Sequence, residues 1–268
     1  MDMKLFDSHC HLDFPDFDPD RQDVLEQCMN SGVEAICIPA TEAETWSRVM
    51  ETIERSGPGV RQYAALGMHP CFMDKHREEH LKLLYEQLAA RTPGVVAVGE
   101  IGLDYYLENS DRDAQKKLFQ QQLDIAKSFN LPVILHVRKA HDDALKILRQ
   151  LELARGGIVH AFSGSEQQAH QYIKLGFKLG FGGVITYPRA RKTRHLAATL
   201  PLEAIVLETD SPDMPLYGCQ GRRNSPVMVA RVASELAALR KEEDKTIAKQ
   251  TAFNCCTLFG VNLTEPSE

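Results

Sequence analysis

Short apolar runs alternate with longer segments of helical periodicity along most of the chain. The runs match buried strands, and they begin at Lys4, Glu34, Gln62, Val95, Pro132, Gly157, Phe177 and Ala204. Helical spacing is clearest in residues 113–129, through Leu118, Gln122, Ile125 and Phe129, and in residues 142–153, through Leu145, Leu148 and Leu151. Strands that are apolar on both faces and are each followed by a helix predict an α/β fold, a single (β/α)8 TIM barrel.

Length and composition are compatible with that fold. The sequence has 268 residues, of which 43% are hydrophobic, and this is enough for a sizeable core. It contains no low-complexity tract and no linker rich in Pro, Gly or Ser, so we expect one domain over residues 1–268. The alternative architecture is a doubly wound open sheet, which needs fewer strands and no closure.

Charge and cysteine content restrict the possible partners and the compartment. The formal net charge is −6, so the chain has no general attraction for nucleic acid, and a phosphate substrate would need a local site of metal ions or arginines. Seven cysteines without a CxxC spacing, in a sequence without a charged-then-apolar leader, predict reduced thiols and a cytoplasmic protein. No apolar run is long enough to span a bilayer, and no obligate protein partner is evident.

The first chemically distinctive stretch is DSHCHLD, residues 7–13, which separates His9 and His11 by a single residue. In an extended backbone, alternate side chains lie on the same face, so both imidazoles would point the same way. Two such imidazoles supply half of a tetrahedral metal site. The alternative interpretation is simply two polar residues at the end of a strand, and the rest of the chain must decide between the two.

Ionisable residues recur at the ends of the predicted strands. In a (β/α)8 barrel, catalytic groups come from the carboxyl ends of the strands, where the βα loops begin. The residues at those ends are His9, His11, His69, Glu100, His136, His160 and Asp210. Any one of them could instead have a structural role, either as a histidine that donates a hydrogen bond to a backbone carbonyl or as a carboxylate that caps the next helix. Their joint placement at one end of the barrel favours a common site.

Six of these residues predict a two-metal hydrolase. Imidazole and carboxylate are ligands that divalent zinc, manganese or iron accept, and six ligands exceed one tetrahedral site. We therefore expect two divalent ions per chain, with zinc, manganese or magnesium as the candidates. The predicted ligands are His9, His11 and Asp210 for one ion and His136 and His160 for the other, with Glu100 bridging both. Such a pair of ions makes hydroxide available at neutral pH and stabilises both oxygens of an in-line displacement, which is hydrolytic chemistry.

Six ordered motifs carry a family resemblance. They are DSHCHLD, GMHP, GEIGLDYY, LPVILHVR, VHAFSG and LETDSP, and they extend from residue 7 to residue 212. This pattern resembles the TatD family of metal-dependent deoxyribonucleases, within the wider amidohydrolase-like barrels. The resemblance implies the same ligands, namely His9, His11, Glu100, His136, His160 and Asp210, and it implies DNA or another phosphodiester as substrate. Glu100 and Asp210 are the expected catalytic residues, because Asp210 can both bind metal and accept a proton from the attacking water.

The sequence departs from the family pattern in two places. Cys71 follows the HP dipeptide where many relatives carry a histidine or another polar residue. The loop TDSPDMPLYGCQGRRNSP, residues 209–226, is longer than the minimal loop of the family. Both departures affect the substrate preference that the resemblance implies.

Three further residues are candidates for contact with the substrate. We interpret His69 as a hydrogen-bond donor to a substrate phosphate or as a group that orients a metal ligand, with a structural role as the alternative. Asp104 could orient a bound water or a histidine ligand, although a helix N-cap is equally compatible. Arg138, two residues after His136, is the best candidate to pair a phosphate with two hydrogen bonds, with a rim ion pair as its alternative.

Three classes of function remain open at this stage. The first is a two-metal phosphodiesterase acting on DNA. The second is an amidohydrolase acting on a small amide, lactone or nucleobase, but such enzymes often bridge their metals through a modified lysine, and this chain has Glu100 with no lysine nearby. The third is binding of metal or nucleic acid without turnover, and the acidic balance without a basic stripe or an aromatic ladder argues against it.

Overall fold

The computed structural model describes residues 4–55, 59–108 and 110–263. In these residues the strands are Leu5–Asp7 (β1), Val33–Pro39 (β2), Arg61–Leu66 (β3), Val95–Asp104 (β4), Val133–Arg138 (β5), Gly157–Val159 (β6), Phe177–Phe181 (β7) and Ile205–Leu207 (β8). The α-helices are Arg21–Asn30 (α1), Trp46–Glu54 (α2), Glu78–Ala89 (α3), Arg112–Ser128 (α4), His141–Leu151 (α5), Glu166–Lys174 (α6), Arg191–Thr199 (α7), Val229–Arg240 (α8) and Asp244–Phe259 (α9). Strands and helices therefore alternate as the apolar pattern predicts.

The eight strands form one sheet in which each strand pairs with the next along the sequence. The pairs whose register is defined, such as β4 with β5, are parallel. The last strand returns to the first, because the backbone N–H of Ser8 donates to the carbonyl oxygen of Leu207 at 2.9 Å. The predicted (β/α)8 barrel is therefore confirmed, and a doubly wound sheet, whose strand order reverses, is wrong.

The chain also divides into two compact units built from interleaved segments. The described parts of residues 1–38, 55–62 and 180–268 form the first unit, and those of residues 39–54 and 63–179 form the second. Of the predicted metal ligands, His9, His11 and Asp210 belong to the first unit, and Glu100, His136 and His160 belong to the second. The expectation of one domain over residues 1–268 stays a prediction.

In the first unit, α9 covers the strands β1 and β8. Phe6 of β1 packs against Phe259 of α9 with ring centroids 5.8 Å apart. Asn254, buried on the same helix, donates from its side-chain Nδ2 to the carbonyl oxygens of Leu202 and Ile205 at 2.8 and 2.7 Å. These bonds satisfy backbone groups at the start of β8, and they fix the strand whose far end leads to Asp210.

In the second unit, α4 packs against β4. The helix begins after Asp111, whose carboxylate Oδ1 accepts from the backbone N–H of Asp113 and Ala114 at 3.1 and 3.0 Å. The predicted helix is confirmed, but its predicted buried face is only partly right. The fully buried side chains are Gln115, Phe119, Gln122, Leu123 and Ala126, whereas Leu118, Ile125 and Phe129 are half-buried. Gln122 is part of the predicted pattern, whereas the second buried glutamine, Gln115, is a polar residue that an apolar pattern does not reveal.

Strand β4 is longer than the apolar run predicts. The prediction placed its end at Glu100, but the strand continues to Asp104. The register shifts between Val98 and Ile101, because β4 advances three residues there while β5 advances only two, from Val133 to Leu135. Gly102, at φ +148°, permits the continuation, because a Cβ there would lie 1.9 Å from the carbonyl oxygen of His136. The glycines that look like a strand end therefore allow a close approach of two strands.

All seven cysteines are free thiols. Among the helices of the described residues, none has both the length and the hydropathy that crossing a lipid bilayer requires.

Candidate metal centre

In the first unit, His9, His11 and Asp210 form one cluster. The Nε2 atoms of His9 and His11 lie 3.3 Å apart. The Oδ1 atom of Asp210 lies 3.5 Å from the first and 3.6 Å from the second. The pairing has a different cause from the predicted one, because β1 ends at Asp7 and both histidines follow the strand. The loop, and not strand alternation, brings the two imidazoles together.

Asp7 holds this loop in place, and sequence reasoning gave it no role. Its carboxylate accepts from the Thr209 N–H at 3.0 Å, from the Thr209 hydroxyl at 2.6 Å and from the His9 N–H at 3.3 Å. Burial raises the pKa of Asp7 well above its usual range, although these hydrogen bonds oppose the shift. Asp7 therefore ties the end of β1 to the segment that precedes Asp210. A charged residue directly after the apolar Leu5 and Phe6 was the available signal.

In the second unit, Glu100 lies among histidines. Its side chain is 2% exposed, and its Oε1 atom lies 3.1 Å from His136 Nδ1 and 3.2 Å from His69 Nε2. Each of Glu100, His136 and His160 offers one ligand atom, and these three atoms lie within 4.8 Å of one another. His160 follows β6 directly, and its backbone N–H donates to Leu135 of β5 at 3.0 Å. Three of the predicted ligands therefore form a second cluster.

The hydrogen bonds of His69 define its tautomer. Its Nδ1 accepts from the backbone N–H of Cys71 at 3.1 Å, so Nε2 carries the hydrogen and points to Glu100. Burial lowers the pKa of His69, which keeps the imidazole neutral, although the charge of Glu100 opposes this shift. His69 is thus placed to orient the carboxylate of Glu100.

Asp104 forms a hydrogen bond with the other ring nitrogen of His136. Its Oδ2 lies 2.9 Å from His136 Nε2, and its Oδ1 accepts from the Tyr106 N–H at 2.8 Å. Burial alone lowers the pKa of His136, but hydrogen bonds to Asp104 and Glu100 outweigh it and raise that pKa to about 9. Burial alone raises the pKa of Asp104, but bonds from His136 and Tyr106 lower it to about 2. The N-cap alternative does not hold, because the cap of α4 is Asp111.

Both clusters fit a divalent cation. Two nitrogens that each lie about 2.1 Å from a tetrahedral ion are roughly 3.4 Å apart. The Nε2 atoms of His9 and His11 are 3.3 Å apart, and Oδ1 of Asp210 lies at comparable distances from both. The 3.1 Å between Glu100 Oε1 and His136 Nδ1 is close to the same spacing. The donor types and their separations therefore suit metal ions in both units.

Comparison with known proteins supports the same chemistry. The family model described as TatD related DNase matches residues 6–260. YjjV of Escherichia coli K12, an uncharacterized metal-dependent hydrolase, is 47% identical over 258 residues, which cover 96% of this chain and 98% of YjjV. An uncharacterized metal-dependent hydrolase of Haemophilus influenzae is 39% identical over 264 residues, covering 96% of this chain and 100% of that protein.

The crystal structure of the TatD homologue YjjV matches at a TM-score of 0.93 and 46% identity, covering 98% of this chain and 100% of that one. The chain belongs to the TatD family. It is a metal-dependent hydrolase of that family, and its His, Glu and Asp clusters could bind metal. The resemblance inferred from the six motifs is therefore confirmed.

Two buried glutamines of α4 support the second cluster of this TatD-family protein, and they too were missed. Gln122 binds both backbone groups of Met68, accepting from its N–H at 2.8 Å and donating to its carbonyl at 3.1 Å. Gln115 does the same for Asp104, at 2.9 and 3.1 Å. The two glutamines fix the backbone beside His69 and at Asp104. Their spacing of seven residues on the core face of α4 was the available signal.

Two arginines lie nearer the surface, and one of them, Arg138, is a predicted substrate contact. Arg138 is exposed at the end of β5, with its guanidinium 3.6 Å from the centroid of the Tyr106 ring. Arg223, in the long loop after β8, forms an ion pair with Asp20 at 2.6 Å and covers the ring of Phe17 at 4.7 Å. Arg223 therefore has a structural partner, whereas Arg138 does not form a rim ion pair with any described carboxylate.

We expect Asp104→Asn to weaken retention of the ion at His136 by about 10- to 100-fold, because a carboxylate that orients a ligand histidine contributes on this scale. In the metal-free protein it should also lower the His136 pKa from about 9, since an amide does not stabilise the imidazolium charge. Metal-binding titration and histidine NMR measure the two effects. Asp111→Asn is the matched control, because it makes the same change of side chain at the N-cap of α4 and keeps a capping oxygen there. Unchanged metal affinity and an unchanged His136 titration would contradict the role.

Proposed function

We propose that this protein is a two-metal phosphodiesterase that cleaves DNA. The observation that carries the proposal is the pair of clusters, one in each unit, that combine imidazole nitrogen with a carboxylate oxygen at ligand spacing. Membership of a family described as TatD related DNase supports DNA as the substrate. The free state of all seven cysteines supports action in the cytoplasm.

The proposed centre holds two divalent ions, with zinc, manganese and magnesium as the candidates. Its ligands are His9, His11 and Asp210 for one ion and His136 and His160 for the other, with Glu100 shared by both. The placement along the strands supports this assignment, because four of the residues follow the carboxyl ends of their strands, namely His9, His11, His160 and Asp210. Glu100 and His136 lie in the carboxyl-terminal halves of β4 and β5. When bound, the ions would lower the pKa of water and neutralise charge on the scissile phosphate.

Asp210 is the proposed general base. Its side chain is 16% exposed, against 8% for His11 and 0% for His9, so Asp210 is the most accessible member of its cluster. It adopts the left-handed conformation at φ +56°, and its backbone N–H donates to the carbonyl of His9 at 2.9 Å. The backbone of Asp210 is therefore held in place by a bond that does not involve the side chain, and a carboxylate at this position can accept a proton from a water molecule.

The substrate contacts divide into positioning and binding roles. His69 and Asp104 are 7% and 1% exposed, and each is bonded to a proposed ligand, so we assign them to positioning. Arg138 is exposed and has no carboxylate partner among the described residues, so we assign it to binding a substrate phosphate. An amidohydrolase acting on small amides or lactones stays the alternative, and Glu100 in place of a lysine weighs against it.

A substrate panel tests the proposal. The protein is freed of metal with a chelator, loaded separately with zinc, manganese or magnesium, and assayed on end-labelled single-stranded DNA and on a set of amides and lactones. We expect cleavage of DNA that is lost on chelation and restored by at least one ion, with little turnover of the small substrates. DNA cleavage that survives complete metal removal, or turnover confined to amides or lactones, would overturn the proposal.

A further inference from the structure

Two cationic side chains cover one exposed tyrosine ring beside the second cluster. Tyr106 is 52% exposed. The Arg138 guanidinium lies 3.6 Å from its ring centroid, and the Lys139 ammonium lies 4.6 Å from the same centroid. Cation–π contacts of this kind fix long side chains in one place at the surface. We call these three residues the Tyr106 clamp.

The clamp is built on the ends of two paired strands. Asp104 of β4 lies opposite Arg138 of β5, and the Tyr105 N–H donates to the Arg138 carbonyl at 2.9 Å. The Tyr106 N–H donates to Asp104 Oδ1 at 2.8 Å, and Oδ2 of the same carboxylate lies 2.9 Å from His136 Nε2. A single carboxylate therefore connects the clamp to a proposed metal ligand. A ligand on the clamp would lie next to the reacting group.

The backbone at Lys139 explains why two consecutive residues reach one ring. In an extended strand, consecutive side chains point to opposite faces, so Arg138 and Lys139 would diverge. Lys139 adopts φ +54°, a left-handed conformation that a residue with a Cβ seldom takes. The turn brings the ammonium back to the ring that Arg138 already covers. Residues with such rare backbone conformations are concentrated at functional sites, where they change the direction of a side chain.

The two positive charges of the clamp have no ion-pair partner in the part of the chain that the structure describes. Neither Arg138 nor Lys139 pairs with a carboxylate of those residues. The repulsion between these two cations is therefore not offset by an ion pair among those residues. In a chain of net charge −6, such a local site is where a phosphate would be held. The exposed ring beside them suits a nucleobase, which stacks on aromatic side chains.

We propose that the Tyr106 clamp binds the nucleotide adjacent to the scissile bond of a single-stranded substrate. Arg138 and Lys139 take its phosphate, and Tyr106 stacks its base. The proposal rests on the phosphodiesterase function proposed above. The reacting phosphate would lie at Glu100, which is 2% exposed, whereas the clamp lies at the surface, so it serves the neighbouring nucleotide. A single strand is required because the bases of a duplex are already stacked and paired.

The test compares a polymer with a small diester. Wild type, Arg138→Ala/Lys139→Ala and Tyr106→Ala are assayed on a fluorescein-labelled oligothymidylate and on bis(para-nitrophenyl) phosphate, which has no neighbouring nucleotide. The matched control is Lys117→Ala/Lys146→Ala, which removes the same charge from exposed positions on α4 and α5. All proteins are fully loaded with the activating metal, and circular dichroism verifies the fold.

We expect the KM for the oligonucleotide to rise about 10-fold or more in both clamp variants, because one stacked base or one bound phosphate contributes on this scale. The slope of log(kcat/KM) against the logarithm of the salt concentration is negative, and it should become less steep by about 0.7 for each phosphate that the charge variant no longer neutralises. Turnover of the small diester and all properties of the control should stay at wild-type values. An equal decrease in kcat/KM on both substrates, or an unchanged kcat/KM on the oligonucleotide, would overturn the proposed role of the Tyr106 clamp.

Failure of the proposed function is distinguishable from failure of the clamp. If wild type cleaves neither substrate, anisotropy of the labelled oligonucleotide measures binding directly. A Kd that rises about 10-fold in both clamp variants, but not in the control, supports the subsite independently of turnover. Equal affinity of wild type and variants, or equal affinity of wild type for single-stranded and duplex DNA, would count against it.

Discussion

Replacing Glu100 with Ala should abolish hydrolysis and reduce the content of both metal ions while the fold is retained. The carboxylate is 2% exposed and lies 3.1 Å from His136 Nδ1 and 3.2 Å from His69 Nε2. In the proposed two-ion centre the four histidine ligands would be neutral and would supply no negative charge, so Glu100 and Asp210 together would have to offset the repulsion of two dications. Losing Glu100 removes half of that compensation and the proposed bridge.

Two variants make this prediction specific. His160→Ala should cost one ligand of the second ion and leave the first ion, at His9, His11 and Asp210, largely bound. Glu100→Gln keeps the shape of the side chain and removes only its charge, so it separates packing from electrostatics. Elemental analysis, circular dichroism and hydrolysis rates measure the outcomes. A Glu100→Ala protein that holds two tightly bound ions at wild-type activity would disprove the bridging role.

The barrel could be predicted from the sequence because its strands are buried on both faces. Runs such as those at Val95 and Pro132 carry apolar residues at nearly every position, and this is typical of a parallel sheet covered by helices. The end of β4 could not be predicted in the same way. Gly99 and Gly102 look like a terminus, whereas they allow β4 to run close against β5 as far as Asp104.

The proposed ligands could also be found from the sequence, because the carboxyl ends of the strands of a barrel converge on one face and supply its catalytic residues. The residues that hold the ligands gave a weaker signal. Asp7 and Gln115 act through bonds to partners distant in sequence, Thr209 and Asp104. Such bonds depend on three-dimensional placement, so hydrophobic periodicity does not report them.

The same limit applies to Arg138 and Lys139. Strand alternation predicts that consecutive residues diverge, and only the left-handed backbone at Lys139 brings both cations to Tyr106. For His69 and Asp104 the sequence left a substrate contact and an orienting role open, and the two side chains lie against Glu100 and His136. Their burial, which the sequence does not report for single polar residues, favours the orienting role.

Replacing Asp210 with Asn should lower kcat by about 100- to 10,000-fold under saturating metal, because a positioned general base contributes on this scale. Asn keeps one oxygen that can act as a ligand, so the variant should retain its metal when the ion is in excess. The Asp210 backbone is held independently of the side chain, by the bond from its N–H to the His9 carbonyl at 2.9 Å. The substitution therefore removes the proton acceptor with little effect on the loop.

The matched control is Asp213→Asn, an exposed carboxylate three positions further along the same loop, which should leave kcat unchanged. Steady-state kinetics on DNA, with metal content measured on the same samples, separates the two contributions of Asp210. A fall in kcat with KM and metal content retained identifies a group that acts in the chemical step. If excess metal restores kcat to the wild-type value, Asp210 serves only as a ligand and another group accepts the proton.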